Sequence, residues 1–544
     1  MIKFSINKFQ LNIQMNRRNL DVIQAFFEAH LKTIILISLI AISIASFWYF
    51  YSNGLGLAYN DARSRLDIGR RVVEGLKPGF AQLGSVWLPL IHILMVPTVW
   101  NDWMWHSGLS GGLVSMISFV ITGFAIFQFL KLFKVGLLGR IIGVLIFVLN
   151  INILYLQSTA MTELLLLATT TLGAYYIAKW FQNELILDLI KAAFWIMLAT
   201  ATRYDGWFTF AFTVALICSY AWKKYGYKRS EGVFFLFCTL GGLGIVMWFL
   251  WNQLIFKDAL YFAFGEFSAH AQQTQLEEAG VLSTKNNIWF SLKVYLYALF
   301  YNSNTFLVLL GLAGAIYLWF DKKLSIGLKI ASLSLIAPFI FNIIALYLGH
   351  SVLFIQGLSG DTWFNARYGI MLAPSIAIFI GILIDRLSSL RMLLIGLIAL
   401  VTFFTFSGQD AVTIDDARVG SSQKNVSEVS GWLKDNATNQ PGFILISAAS
   451  HDAIIFSSGL PMKRFIHEGT GDYWKSAVST PDRWARWIVV RTYDNNDLTW
   501  RTVNEFTNLD KYDKVAAYPF ADVYQLKPEF LPNLITEPVL PKQK

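Results

Sequence analysis

Apolar runs of about 20 residues, the length that crosses a bilayer as a helix, recur along the first 407 positions and alternate with short polar loops. The first is TIILISLIAISIASFWYFY from Thr33. Ten more begin near Leu109, Ile141, Thr162, Leu189, Trp207, Gly232, Leu296, Ile330, Tyr368 and Met392. This pattern predicts an α-helical polytopic membrane protein with about eleven transmembrane helices over residues 1–407. The eighth run, WFSLKVYLYALFYNSNTFLVLL, also reads as an interfacial helix followed by a span. The polar stretch before Thr33 is too long for a cleaved leader, so the first span is expected to stay as an anchor.

Beyond about Ser421 the periodicity changes. FILISA, KRFIHE, RWIVVR, KVAAYPF and DVYQL alternate or cluster as strands do, and SEVSGWLKDN and DLTWRTVNEF read as helices. Residues 408–544 are therefore expected to form a small α/β domain.

Composition agrees with the pattern: 55% of the 544 residues are hydrophobic and only 15% charged, against about 25% charged in soluble domains. The net charge of +9 is unevenly spread. The tail from Gly408 holds 15 basic and 17 acidic residues, and the rest of the chain 29 basic and 18 acidic. With the N-terminus inside, the inner loops collect 19 basic and 7 acidic residues, and the outer membrane segments 10 basic and 11 acidic. By the positive-inside rule this predicts a plasma-membrane protein with a cytoplasmic N-terminus and an extracytoplasmic C-terminal domain. The basic excess is an orientation signal, and no nucleic-acid partner is expected. Cys218 and Cys238 lie in apolar runs and are expected to be buried, inert thiols.

The outer segments are the long ones, at about 52–108, 252–290 and 349–367, and long loops carry function more often than short ones. In the first, Ala62 to Leu76 has the spacing of an amphipathic helix lying in the interface. Asp61 opens it. One reading makes Asp61 a helix cap; the other makes it a general base at the membrane surface. Glu163 begins the fourth span, where an ionisable group is a functional candidate or a first-turn acid with Ser158 or Thr159 as cap. Arg203 and Asp205 in ATRYDGW form an interfacial salt bridge or a phosphate site. Arg367 and Tyr368 in WFNARYGIMLAP open the tenth span. Asp61, Glu163, Arg203, Asp205 and Arg367 thus map to one membrane face from separate parts of the chain. Acids and arginines together suit a substrate with a phosphate head and a lipid tail.

Other signals are weaker. His92, His106, His270 and His350 show no metal-ligand spacing. GGLG at 241–244 lies in a span and reads as helix packing, and the Asp415-Asp416 pair lacks the spaced form that holds a nucleotide-sugar metal.

Taken together, YNDARSRLDIGRRV, AMTELLLL, TRYDGW, FKDALYFAFGEFSAHAQQ and WFNARYGIMLAP, in this order and on one side, resemble the GT-C superfamily of polyprenyl-phosphate-sugar-dependent membrane glycosyltransferases. The nearest likeness is to bacterial relatives of aminoarabinose transferase and protein O-mannosyltransferases. The resemblance implies sugar transfer from a polyprenyl-phosphate-linked donor, with Asp61 at the family's catalytic acidic position. Glu163 would stand near donor or acceptor, and Arg203 with Asp205, and Arg367 with Tyr368, near the lipid phosphate. His270 joins the substrate-binding candidates in the outer segment that closes over substrate in the family. Asp61 is followed by Ala62 where O-mannosyltransferases often have Glu, which leaves a lipid, glycan or protein acceptor open. No cofactor or metal is expected to be required. A lipid-linked-sugar flippase with an outer accessory domain, or a non-catalytic envelope scaffold, are the alternatives.

Overall fold

The computed structural model describes residues 17–266, 268–420, 426–505 and 508–539. Lys3 and Lys8, counted with the inner charges, lie outside the described residues. Among the described residues, six helices are long and apolar enough to cross a membrane: His30–Ser52, Leu109–Leu132, Glu163–Asn183, Ile326–Tyr347, Ala366–Arg386 and Arg391–Val419. They place the chain in a membrane. Two bent pairs bring the number to eight, Tyr227–Gly241 with Leu243–Phe256 and Ile288–Ser303 with Thr305–Phe320.

Eleven spans were expected, and the difference has a local cause. The run near Ile141 becomes helix Leu137–Val148, 12 residues long, too short to count as a span on its own and continued by a second short piece. It stops at Asn150, whose side chain caps a new short helix, Ile151–Leu156, by accepting from Asn152 N and Ile153 N. The run near Leu189 becomes the 15-residue helix Ile186–Thr200, with Leu189, Ala192, Ala193, Ile196 and Ala199 buried in the bundle. Helix Asp205–Tyr225 has 21 residues, but Thr209, Thr213, Tyr220 and Trp222 dilute its apolar character.

The two readings of the eighth run are decided by Asn304. Its backbone sits in the left-handed region at φ 64°, which asparagine tolerates better than most residues. Its side chain accepts from Phe306 N at 3.0 Å, so one helix ends and another starts at a bend of 107°. Cys218 and Cys238, expected to be buried, are only half-buried.

Burial differs sharply among the helices. Glu163–Asn183 lies inside the bundle, whereas Arg391–Gly408 lies at its edge with Leu393, Phe403 and Phe404 exposed. Such exposure of large apolar side chains is stable only against lipid or a partner.

After helix Val412–Val419 the chain builds five strands: β1 (Phe443–Ile446), β2 (Phe465–Ile466), β3 (Ala485–Val490), β4 (Tyr512–Ala517) and β5 (Asp522–Leu526). Their order is β2-β1-β3-β5-β4. β1 is parallel to β2 and β3, with Leu445 opposite Ile466 and Ile488, and β5 runs antiparallel to β3 and β4. Strand alternation sends Ile444, Ile446, Trp487 and Val489 to one face and Phe443, Leu445, Ile488 and Val490 to the other. The first face packs on helices Ser427–Ala437 and Ala448–Ser458 and is continuous with the core beneath the first outer segment. Helix Val412–Val419, assigned by sequence to the outer domain, packs instead on Ile151–Leu156 and on the turn Ala366–Leu372.

The first outer helix, Asn60–Val73, does not lie on the lipid surface as its pattern suggested. It is held between helix Leu90–Val99 and helix Ala448–Ser458 of the C-terminal domain, which buries Ala62, Arg65, Leu66, Asp67, Gly69 and Val72. Arg71 Nη2 reaches Asp452 Oδ2 at 3.0 Å, and Arg63 Nη1 reaches Ser457 Oγ at 3.3 Å. Asp67, which accepts from Trp105 Nε1 at 3.2 Å, meets Asp452 across this contact. Burial lifts both carboxyls above the usual range, Asp452 to about 6; the Asp452 charge raises Asp67 further, and the hydrogen bond the pair shares holds Asp452 lower than burial alone would.

This junction has a pH signature. A carboxyl with a raised folded-state pKa adds stability that is complete below its unfolded pKa of about 3.9 and is lost as pH climbs through the folded value. Thermal stability of the wild type minus that of Asp452→Asn is therefore expected to fall as pH rises from about 4 through 6, and to go on falling while the coupled Asp67 holds its proton. A difference that rises over that window would contradict the shared proton.

Candidate active site

Each charged residue singled out in the sequence stands where a helix begins or ends. Asp61 occupies the first turn of Asn60–Val73, whose N-cap is Tyr59 with no side-chain cap bond; the Asp61 side chain does not cap the helix. Glu163 begins Glu163–Asn183, and neither Ser158 nor Thr159 caps it, since their hydroxyls donate to Leu154 O and Leu156 O. Arg203 fills the break between Ile186–Thr200 and Asp205–Tyr225, and Arg367 and Tyr368 lie in the tight turn Ala366–Leu372. Two glycines let these segments approach their neighbours. A Cβ on Gly206 would stand 2.2 Å from Ala199 O, and one on Gly369 2.2 Å from Ala298 O.

Arg367 is the hub. Its Nη2 lies 2.7 Å from Asp61 Oδ2, its Nε 3.1 Å from Glu163 Oε1, and its Nη1 3.4 Å from Asp416 Oδ2. Glu163 Oε1 also accepts from Arg203 Nη1 at 3.1 Å. Arg203 Nε lies 3.4 Å from Asp205 Oδ1, and its guanidinium stacks over the Tyr368 ring at 4.7 Å. Asp61, Glu163, Arg203, Asp205, Arg367 and Tyr368 thus come together. His270 does not join them: it is exposed on helix Ala269–Glu278, with its ring 5.8 Å from that of Phe264.

Exposure separates the acids. The side chains of Glu163 and Asp416 are 0% exposed and that of Asp205 10%, whereas that of Asp61 is 33% exposed. Asp61 is thus the most exposed carboxylate of the group. Glu163 and Asp416 each keep one buried oxygen, Oε2 and Oδ1, without a hydrogen-bond partner.

Two members were missed in the sequence. Asp416 was weighed only as half of an acidic pair, because nothing local shows that helix Val412–Val419 folds back against Arg367. The Tyr59 hydroxyl lies 3.2 Å from Asp416 Oδ2 and 2.8 Å from Thr413 O, and burial holds that phenol protonated. Arg65 was read only as a point in the helical repeat. It is buried beside the cluster, stacks on Trp87 at 4.2 Å and has an unpartnered Nε. Burial lowers its pKa to about 10, with Asp61 and Glu163 pulling the other way, so it is charged at neutral pH. Its spacing of one helical turn from Asp61 was the available signal.

The outer segment around 256–287 joins the cluster's side of the bundle to the C-terminal domain. Glu266 pairs with Arg501 at 2.5 Å, Gln275 Nε2 donates to Asn496 Oδ1 at 3.3 Å, and Gln273 Nε2 donates to His350 O at 2.6 Å. Among the described residues no three His, Cys, Asp or Glu side chains are grouped so as to hold a metal ion.

No protein-family model matches the chain, and no curated protein matches it by sequence. Solved structures do match. The crystal structure of ArnT from Cupriavidus metallidurans bound to undecaprenyl phosphate aligns with a TM-score of 0.55 and 9% identity, covering 91% of this chain and 98% of that one. The apo form of that protein gives the same score and identity over 92% and 99%. The apo Archaeoglobus fulgidus oligosaccharyltransferase aligns at 0.48 with 11% identity over 86% and 70%. A whole-length match at so low an identity is a statement about backbone path: this chain has the fold of the ArnT structures.

Proposed function

We propose that the protein is an integral-membrane glycosyltransferase that moves a sugar from a polyprenyl-phosphate-linked donor to an acceptor hydroxyl or amine on the extracytoplasmic side. The observation that carries the reading is the Asp61–Arg367–Glu163–Arg203 cluster at one end of the helices, in a fold shared along its length with a protein that binds undecaprenyl phosphate. The charge asymmetry of the loops supports the cluster facing outward.

In this mechanism Asp61 takes the proton of the acceptor, whose oxygen or nitrogen attacks the anomeric carbon. The bond from that carbon to the phosphate oxygen breaks, and its electron pair leaves on the polyprenyl phosphate. Displacement in one step inverts the carbon. Arg203 and Arg367 face the departing phosphate, held in place by Glu163, Asp205 and Asp416 rather than free to follow it. Because those carboxylates already offset the two arginines, Arg65 supplies the uncommitted charge. The segment 256–287 closes over the bound donor, and domain 408–544 buttresses the helix that carries Asp61. The acceptor is a lipid, glycan or protein.

The test is release of polyprenyl phosphate from a panel of polyprenyl-phosphate sugars by the purified chain in nanodiscs. Lipid flipping without cleavage of any donor would replace this reading with the transporter. Arg65→Gln is expected to raise the KM for donor about 10- to 100-fold, the range for losing a hydrogen bond to a charged group, with a smaller change in kcat. An unchanged KM would remove Arg65 from the phosphate site.

A further inference from the structure

A cavity of about 450 Å³ opens on the far side of the cluster's wall, between the bend at Asn304, the residues around Asn150, and the end of helix Arg391–Gly408. We propose that it binds an amphiphile whose headgroup is uncharged and hydroxyl-bearing, as in a glycolipid. This ligand is separate from the phosphate-linked donor, and its binding does not depend on sugar transfer.

Two buried groups point to a ligand. Asn302 is 1% exposed, and its Nδ2 donates to Ala298 O at 2.8 Å and Ala366 O at 2.7 Å. Those two carbonyls fix the amide orientation, because only the nitrogen end donates. Asn302 Oδ1 is left without a partner, and so is the hydroxyl of Ser303, which is 5% exposed. Both residues line the cavity. A buried acceptor left unpaired costs about 1–3 kcal/mol, which a ligand hydroxyl would recover once the Asn302 or Ser303 side chain turns toward the lining.

Charge and shape narrow the class. The lining holds no lysine, arginine or histidine, and Asp410 places an exposed carboxylate at its edge. A phosphate headgroup would find no cation there and one like charge. Tyr297 and Tyr301, 39% and 43% exposed, offer ring faces suited to a sugar. The tail finds Ile146, Leu149, Leu307 and Val401 on the apolar part of the lining, beside a helix that presents its surface to lipid.

The cavity also shares a wall with the cluster. Asn152 Oδ1 accepts from Thr413 N and Oγ1 at 3.1 and 2.8 Å, and Thr413 O meets the Tyr59 hydroxyl that touches Asp416.

The experiment uses the full chain in nanodiscs of phosphatidylglycerol and phosphatidylethanolamine, doped with a diazirine-tailed glucosyl diacylglycerol. After photolysis, adducts are mapped by peptide mass. Labelling is expected within 297–307 or 401–410, about tenfold above that from a diazirine-tailed phosphatidylglycerol. Asn302→Leu removes the unpaired acceptor, and Thr405→Trp fills the cavity from the outermost helix without touching Asn302. Each is expected to cut labelling about tenfold at unchanged thermal stability. If Asn302→Leu loses stability, Thr405→Trp carries the test alone. Asp61→Asn is expected to label like the wild type, so failure of the transferase reading leaves this result intact. Equal labelling by phosphatidylglycerol, or full labelling of Thr405→Trp, would overturn the proposal. Protection by free glucose with no adduct from the lipid probe would overturn the amphiphile assignment.

Discussion

Asp61→Asn is expected to lower kcat for sugar transfer by about 10²- to 10⁴-fold, the range for removing a positioned general base, while leaving the protein folded. The asparagine keeps an oxygen that accepts from Arg367 Nη2, now 2.7 Å from Asp61 Oδ2, so the hub retains its geometry. It no longer takes a proton. Because the Asp61 side chain is 33% exposed, losing its charge is expected to change stability by no more than about 1 kcal/mol. The measurements are single-turnover transfer from a purified polyprenyl-phosphate sugar and thermal unfolding of the same preparation. The KM for donor is expected to stay near the wild-type value, since in the proposed reaction the residue acts on the acceptor. Wild-type turnover in the variant would end the general-base assignment, and loss of activity together with stability would recast Asp61 as a structural partner of Arg367.

Arg367→Met is expected to be the most damaging single change for the fold. Methionine fills much of the same space, but Glu163 is left with Arg203 as its ion-pair partner and Asp416 with the Tyr59 hydroxyl. Both carboxylates are fully buried. Removing one partner of a buried ion network costs about 3–5 kcal/mol, because the remaining charge is desolvated and uncompensated. The control is Arg367→Met with Asp416→Asn, which removes an orphaned charge and is expected to recover at least about 1 kcal/mol by non-additivity. Transfer activity is not expected to return with it, since the guanidinium proposed to face the leaving phosphate is still missing. Recovery of activity along with stability would make Arg367 a purely structural residue. An Arg367→Met protein as stable as the wild type would contradict the network itself.

The cluster was partly legible beforehand for a specific reason. Asp61, Glu163, Arg203 and Arg367 each interrupt or border an apolar run, and charges in such places cost several kcal/mol unless solvated or paired. Counting spans then put the four on one face. The same logic failed for Asp416 and Arg65. Asp416 follows the last run inside an ordinary polar stretch, and Arg65 sits on an amphipathic repeat that explains it without any chemistry. His270 was carried by the likeness of its surrounding motif, and the geometry leaves it outside the cluster. The interfacial reading of Asn60–Val73 also failed, because a face suited to lipid is equally suited to the C-terminal domain that covers it.

What the sequence by itself determined is local: helices from runs of apolar residues and strands from alternation, while sidedness stays an expectation drawn from summed loop charge. Partner choice belonged to the tertiary structure. Arg367 meets Asp61 across 306 positions of sequence and Glu163 across 204. No periodicity links such residues. They are joined because burying any one of these charges alone is prohibitive, and only the packed bundle sets which opposite charge lies within reach.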